Sequence, residues 1–517
     1  MPEAPNFLIL YTDQQQGYQL SCAGHVDLRT PHIDSLAARG ALFERAYTPN
    51  SVCMPARQSL ITGLNPRTHL VRQNGCRPRF AVPTIGSILA DAGYRTHAVG
   101  KMHLEPTNLP PGVSRDEVDP ADFPEAHALW QAGKITKLPL PYYGFETVDF
   151  ANGHGDYVYG DYLAWLKATN PAAVPLLSRE RSRKPMTGAW SSWKSSIPAD
   201  LHVNHWVADR TIDFLSDSAR TGRPFLCWSN FPDPHFPWCP SHPYDEMYDP
   251  EALTLPDDAE CDLPKRPPSA AAFARSVFGK VSPSAIHGAS LREITAHAYG
   301  MISHIDDEVG RILAALDATG LRENTVVVFM SDHGEMLGKR GLLAKGPYHF
   351  EELIRVPLIV SCPARFRAGV VARCVVSALD VPVTIVDLAG CAYPEHPWAA
   401  AAADHGLPKA LQGTSLLPVL TGKADKVRDR VLVEFDEDGT GSVARARLRS
   451  LVTQRYKLNY YAGEDVGEIY DLENDPREHK NLWDDPGARR LRAQLMEELV
   501  DEVIFTESWL PRRVTSS

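Results

Sequence analysis

The chain lacks long apolar runs: those it has, such as Phe7 to Tyr11 and Thr325 to Met330, fall far short of the roughly 20 residues that a membrane-spanning helix needs. No membrane span is expected. The start of the chain also lacks a basic segment, and its short apolar run leads into Asp13 instead of a cleavage site, so the reading is no signal peptide and a cytoplasmic location. Positive charge is in deficit, with 53 Lys+Arg against 64 Asp+Glu and a net charge of −11. That excludes a chain-wide field for nucleic acid or an anionic membrane, and an anionic substrate would need a local cationic cluster. The densest basic stretch, Arg179, Arg181, Arg183 and Lys184, lies beside Pro175 and Pro185 and reads as an exposed loop. Cysteine is sparse. The nine residues Cys22, Cys53, Cys76, Cys227, Cys239, Cys261, Cys362, Cys374 and Cys391 form no CxxC pair, which excludes a disulfide scaffold or a zinc finger. There is no GxSxG elbow and no HExxH, and Gly100-Lys101 lacks P-loop spacing, so lipase, zincin and P-loop chemistries are excluded.

What is present is a globular composition, 44% hydrophobic and 23% charged over 517 residues. Phe7 to Tyr11 is a continuous apolar run ending at Thr12-Asp13, as in a strand buried on both faces of a largely parallel sheet. Thr30-Pro31 offers an N-cap and a proline at the first helical position, with Gly40 as the stop. A helix over Thr84 to Ala92 closed by Gly93 precedes a strand from Tyr94 to Val99. Phe225 to Asn230 and Thr325 to Met330 are further strands that run into Asp233-Pro234-His235 and Asp332-His333. Between them Ile294, Ala298, Ile302, Ile305, Val309, Ile312 and Leu316 mark one helix face, terminated near Gly320. The alternation predicts an α/β fold: a large, mostly parallel mixed sheet flanked by helices. Residues 1–422 form the expected catalytic unit, with a proline- and tryptophan-rich insertion at about 104–199 able to cover the site. After the alanine-rich stretch Ala399 to Ala403, strands at Val431 to Phe435, Leu451 to Thr453 and Tyr456 to Tyr460 and a helix at Leu491 to Ile504 predict a small C-terminal α+β subdomain over 423–517, with an antiparallel sheet.

Sites in open α/β sheets lie beyond the carboxyl ends of the strands, so Asp13, His235 and Asp332 are expected to converge. The most informative segment is Cys53-Met54-Pro55-Ala56-Arg57, followed by Gly93 through Gly100-Lys101-Met102-His103. Together these resemble the two signatures of the formylglycine-dependent sulfatases of the alkaline phosphatase superfamily. The resemblance continues through Ser331-Asp332-His333-Gly334-Glu335, Lys345, Arg355-Val356-Pro357-Leu358 and Ile469 to Pro476. It implies an alkaline phosphatase-like fold, and a Cys53 oxidised to formylglycine by a separate formylglycine-generating enzyme. One hydroxyl of the hydrate would attack sulfur or phosphorus beside a divalent metal, and the other would expel the bound oxyanion.

The resemblance further implies that Arg57 orients the hydrate, that Lys101 and Lys345 bind the anionic oxygens, that His103 helps collapse the intermediate and that His235 protonates the leaving group. The metal set maps to Asp13, Gln14, Asp332 and His333, with Cys53 beside it. Gln14 stands where sulfatases usually carry a second aspartate and Met54 where they carry serine or threonine. Asp-Gln with Asp-His resembles the arylsulfatase and phosphonate monoester hydrolase branch. Imidazole favours Mn²⁺ or Zn²⁺, with Ca²⁺ as the alternative. Asn74 matches a position that contacts the transferred group in the phosphonate branch, and Asn-Gly equally fits an ordinary turn. His154 reads more simply as a solvated or locally bonded loop histidine than as a pocket residue, and His202, His205, His297 and His304 as structural.

The expected function is a sulfuric ester hydrolase acting on aryl or alkyl sulfates and promiscuous toward other singly charged esters, with a phosphonate monoester or phosphodiester hydrolase as the alternative. A reading of another class is an anion-binding scaffold with unmodified Cys53. The expected partners are a small anionic ester, the maturation enzyme and further copies in a dimer or tetramer, with the tail Trp509 to Ser517 or the insertion as packing arms.

Overall fold

Every residue of β1 (Asn6–Thr12) is buried, which explains its unbroken apolar run: a strand inside a parallel sheet is covered on both faces. The computed structural model describes residues 4–78, 82–184, 188–259, 267–272, 288–392, 411–439 and 445–506. Cys261, Ala399 to Ala403 and the tail Trp509 to Ser517 lie outside the described residues.

β1 belongs to a ten-stranded sheet with β2 (Ala41–Tyr47), β3 (Arg95–Lys101), β4 (Thr147–Asn152), β5 (Tyr159–Gly160), β6 (Phe225–Asn230), β7 (Thr325–Ser331), β8 (Arg355–Val356), β9 (Leu358–Ser361) and β10 (Val370–Ser377). The order is β10-β2-β9-β7-β1-β6-β3-β4-β5, and β8 pairs with β2. From β7 through β1, β6 and β3 to β4 every pair is parallel. β9 runs antiparallel to β7 and β2, and β5 to β4. This is the mixed, mostly parallel sheet that the alternating pattern predicts.

Successive residues of β1 feed two cores. Phe7, Ile9 and Tyr11 pack with Trp228 and Val328 beneath the helices Cys53–Thr62, Ile85–Asp91 and Asp380–Ala389. Leu8 and Leu10 pack on the other face with Leu36, Val207, Ile305 and Ile312, from the helices Pro31–Ala38, Val203–Thr221 and Ala289–Ala318. Burial of each such side chain contributes roughly 1.5–3 kcal/mol. One predicted cap is replaced. Thr30 makes no side-chain cap to its helix; the N–H groups of His32 and Ile33 donate instead to Asp306 of the long helix, at 3.1 and 2.8 Å. Thr84 does cap its own helix, in a reciprocal box with Ser87.

The segment 104–199 has little periodicity in sequence, yet it supplies β4 and β5 to the sheet. Its organiser is the buried Glu125. One carboxylate oxygen accepts from the N–H of Leu104 at 2.9 Å, the N–H of Glu105 at 3.3 Å and the hydroxyl of Tyr142 at 2.7 Å, and the other accepts from Asn152 Nδ2 at 2.8 Å. Tyr159 donates to the Glu125 carbonyl at 2.6 Å. The loops that follow β3 and β4 are thus held by one side chain.

A second sheet, β11 (Arg430–Glu437), β12 (Ala446–Thr453), β13 (Tyr456–Tyr461) and β14 (Gly467–Asp471), is antiparallel throughout. Leu432, Leu451, Leu458 and Ile469 pack against Trp483 and against Leu495 and Leu499 of the helix Arg489–Phe505. Val431, Val433 and Phe435 face the other way, toward Phe350, Leu353 and Ile354. On β13 the buried Lys457 donates to Glu351 at 3.2 Å and to Glu478. The turn Glu351–Ile354 in turn holds the loop after β7, because Gly334 N–H donates to Leu353 O at 2.7 Å and Glu335 N–H to Glu352 O at 3.1 Å. A Cβ at position 334 would lie 1.9 Å from Glu352 O, so only glycine fits. Among the described residues no helix is long and apolar enough to cross a membrane.

Candidate active site

Adjacent parallel strands bring the predicted residues to one edge of the sheet. β1 runs into Asp13 and Gln14, β7 into Asp332 and His333, and the loop after β6 carries His235. β3 ends on Lys101, with His103 just beyond. Gly100 has φ +85°, and a Cβ there would meet Asn230 O at 1.9 Å, so glycine lets β3 and β6 close up beneath the site. Cys53 is the first residue of the buried helix Cys53–Thr62, where the helix dipole favours an anion, and Arg57 lies one turn on.

These residues meet. Cys53 Sγ lies 2.9 Å from Lys345 Nζ, 3.2 Å from His333 Nε2 and 3.8 Å from Asp13 Oδ1. Lys345 Nζ also reaches Gln14 Oε1 and His235 Nε2, each at 2.8 Å. The Lys101 ammonium donates to Asp13 Oδ2 and to His154 Nε2. Arg57 sits between the carboxylates, with Nε 2.9 Å from Asp332 Oδ2 and Nη2 3.3 Å from Asp13 Oδ2. Its Nη1 donates to Lys101 O at 2.7 Å and to Asn230 Oδ1 at 3.2 Å.

The buried charges set one another's protonation. Burial alone would raise the Cys53 thiol, but Lys345, Lys101 and His333 hold it well below its usual value. Burial, then Lys345, pushes His235 down to about 4. His235 Nδ1 faces Phe236 O, which leaves Nε2 directed at Lys345. Burial also lowers His103, against the pull of its hydrogen bond to Cys53. Burial and Cys53 would raise Asp13, yet Lys101, His235 and Arg57 pull it below the usual carboxylate range.

The donor set fits a divalent metal. Asp13, Cys53, Asp332 and His333 bring ligand atoms within 4.8 Å of one another. His333 Nδ1 lies 2.8 Å from Gly334 O, which fixes the ring and frees Nε2 for a ligand role. Gln14 has φ +67°, a left-handed conformation of the kind stored at functional sites. That turn points its N–H at Asp332 Oδ1, 2.9 Å away. Its side-chain Nε2 donates to the buried Glu335, whose other oxygen accepts from the N–H groups of Leu337, at 3.0 Å, and Ala344. The amide is thereby oriented with its oxygen inward.

Not every sequence expectation matches. His154 is not a locally bonded loop residue: it stacks on His235 with ring centroids 3.5 Å apart and 13° between planes, and bonds Lys101. The β4 register and the Glu125 clamp carry it there, and neither has a sequence signal. Asn74 is exposed, and its Oδ1 accepts from Met54 N–H at 3.0 Å, steadying the start of the Cys53 helix. Met54 is fully buried, with Gly75 N–H 3.1 Å from its sulfur. Glu335, Glu125 and Asn230 also support the site without having been singled out for it. The histidines read as structural are so placed: His202 accepts from Asn204 N–H, His205 meets Glu308 at 2.8 Å, His297 meets Ser192 at 2.8 Å, and His304 stacks on Tyr244.

Comparison with known proteins agrees with this geometry. Residues 5–391 match the sulfatase family, and residues 338–504 match the C-terminal region of N-sulphoglucosamine sulphohydrolase. The chain is 30% identical to the uncharacterized sulfatase YidJ of Escherichia coli over 96% of its own length and 86% of that protein's. It is 28% identical to an arylsulfatase of Clostridium perfringens, over 96% and 94%. Among solved structures, the phosphonate monoester hydrolase of Agrobacterium radiobacter aligns with a TM-score of 0.75 and 26% identity, over 97% of this chain and 96% of that one. Fold and site therefore define a hydrolase of the alkaline phosphatase superfamily. Within that superfamily the chain belongs to the sulfatase family.

Proposed function

We propose that this chain is a sulfuric ester hydrolase that cleaves aryl or alkyl sulfate monoesters, with Cys53 matured to formylglycine by a formylglycine-generating enzyme. The carrying observation is the position of Cys53 Sγ at a helix N-terminus, 2.9 Å from Lys345 and 3.2 Å from His333. Asp13, Gln14, Asp332 and His333 would hold one divalent ion, Mn²⁺ or Zn²⁺ in preference to Ca²⁺ because of the imidazole. When bound, the ion and the formylglycine hydrate supply a hydroxyl acidic enough to attack and a second hydroxyl able to expel the oxyanion.

The chain's own residues perform the rest. Lys101 and Lys345 present fixed N–H donors to the non-bridging oxygens, where charge gathers during sulfuryl transfer. Arg57 neutralises Asp13 and Asp332 from behind, so the two carboxylates do not repel the incoming anion. His235 and Lys345 face each other at 2.8 Å; burial keeps the imidazole neutral, so the lysine carries the pair's extra proton, and the pair can deliver it to the leaving oxygen. His103 lies against Cys53 with a left-handed backbone, φ +48°, suited to proton removal when the oxyanion is expelled.

The second reading is phosphonate monoester or phosphodiester hydrolysis, favoured by the Gln14/His333 set and by the likeness to the Agrobacterium enzyme. Sulfate monoesters, phosphonate monoesters and phosphodiesters each carry a single negative charge, so one pocket serves all three. The test is kcat/KM for an aryl sulfate and the matching aryl phosphonate, in protein co-expressed with the maturation enzyme and with Cys53→Ala as control. Preference for sulfate supports the proposal, and preference for phosphonate replaces it with the second reading. No turnover of either would leave an anion-binding scaffold.

A further inference from the structure

Two lysine–histidine pairs stand side by side in the site, and the reading above uses only one of their histidines. Lys345 bonds His235, Lys101 bonds His154, and the two imidazoles are stacked, with their centroids 3.5 Å apart. We infer that His154 is a positioning residue of this site, holding the Lys101 ammonium and the His235 ring in their working orientations.

The Lys101 ammonium has three N–H bonds. One points at Asp13 Oδ2 and one at His154 Nε2, which must therefore present a lone pair. With two directions fixed, the third is fixed as well, and it is the one left for an oxygen of the transferred group. Without His154 the ammonium would be tethered at a single point and could turn about it. His235 is held by its Nδ1 contact to Phe236 O and lies against the Phe236 ring, 4.4 Å between centroids. His154 adds a second planar surface against it, so the ring cannot tilt away from Lys345.

His154 is itself well supported. It follows Asn152, whose side chain bonds the Glu125 clamp and whose Oδ1 accepts from Gly153 N–H at 2.8 Å. Its side chain retains 24% exposure, whereas Asp13 and Lys101 retain none. It therefore forms the outer wall of the cationic cluster, between the buried lysine and solvent.

The inference rests on the proposed hydrolytic role of the site, and the test separates the two. Three variants divide the contacts: His154→Gln keeps an acceptor without the stack, His154→Phe keeps the stack without an acceptor, and His154→Ala keeps neither. Two quantities are read on matured enzyme: the inhibition constant of inorganic sulfate, and kcat/KM across aryl esters of graded leaving-group pKa, using the ester class that the wild type hydrolyses. His154→Ala is expected to lower kcat/KM roughly tenfold or more and to weaken sulfate inhibition. His154→Gln should recover sulfate inhibition through Lys101, and His154→Phe should recover the wild-type leaving-group dependence through His235. In a cycle with Lys101→Ala the two losses should be non-additive. Wild-type kinetics in His154→Ala would overturn the inference, as would additive losses with no rescue by either replacement. If His154→Ala does not fold, the Gln and Phe variants decide alone. If the wild type hydrolyses neither ester class, the functional reading fails; calorimetric titration of the variants with inorganic sulfate still reads the hold on Lys101, and equal affinities would then overturn it.

Discussion

Arg57 and Asp332, both wholly buried, meet at 2.9 Å and so join the helix that opens with Cys53 to the carboxyl end of β7. The same guanidinium reaches Asp13 at the end of β1. One side chain thus ties the Cys53 helix to the two strands that run into the carboxylates.

Arg57→Ala would strip the buried Asp332 of its guanidinium partner and leave Asp13 with Lys101 alone, so a stability loss of about 3–5 kcal/mol is expected, together with loss of turnover. Arg57→Lys keeps the charge but has no fork to span both carboxylates, and should recover part of the stability without recovering activity. Denaturant unfolding of the three proteins checks this; an Arg57→Ala protein as stable as the wild type would contradict it.

Glu335 acts on Gln14. Its carboxylate takes the amide N–H and leaves the amide oxygen directed into the site. Glu335→Ala should let the amide rotate and weaken divalent-metal affinity by about 10–100-fold, the usual effect of removing a partner behind a ligand. Metal titration followed by elemental analysis of the gel-filtered protein measures it, and unchanged retention would refute the role.

His69 should make the fold acid-sensitive. Val71 N–H donates to its Nδ1 at 3.2 Å, and its Nε2 faces Ser59 Oγ at 3.0 Å, so the ring is held neutral. Burial, with a contribution from Arg72, pushes its pKa down to about 3. The unfolded chain binds this proton near pH 6.5, so the stability from neutral His69 is complete above that pH and is lost as pH falls toward 3, at up to about 1.4 kcal/mol per pH unit. Thermal midpoints between pH 7 and 5 should fall less steeply for His69→Gln than for the wild type. Parallel slopes would remove His69 from the account.

Lys457 on β13 anchors Glu351, and the turn that begins with Glu351 carries the backbone acceptors for Gly334 and Glu335. Lys457→Met is expected to cost about 3–5 kcal/mol by leaving Glu351 and Glu478 unpaired. Adding Glu351→Gln and Glu478→Gln should restore much of the loss. A triple variant no more stable than the single one would show that packing, not charge, sets the cost.

Asp13, Asp332 and His235 are legible in the sequence because each follows an apolar run that stops abruptly, and the stop marks the carboxyl end of a buried strand. Cys53 and Arg57 are legible through their motif. β2 is not, since Glu44 and Arg45 interrupt its apolar residues, and neither is β10, where Val371 and Arg373 face solvent. Both strands are recognised only through their pairing. His154 and Glu335 escape for a related reason: their roles depend on partners far along the chain, and no local period encodes a contact of that range.

The Glu125 clasp bears on how the enzyme can be altered. The stretch between β3 and β4 is not a cassette that can be lifted out and exchanged, because the same carboxylate secures the loop leaving Lys101 and His103. A chimera that imports a foreign stretch must bring a carboxylate placed to meet the retained Asn152, with a donor at position 142, or the loop after β3 comes unfastened. The exposed residues 111–117 lie outside that clasp, and they are where length can be added or trimmed without touching the machinery.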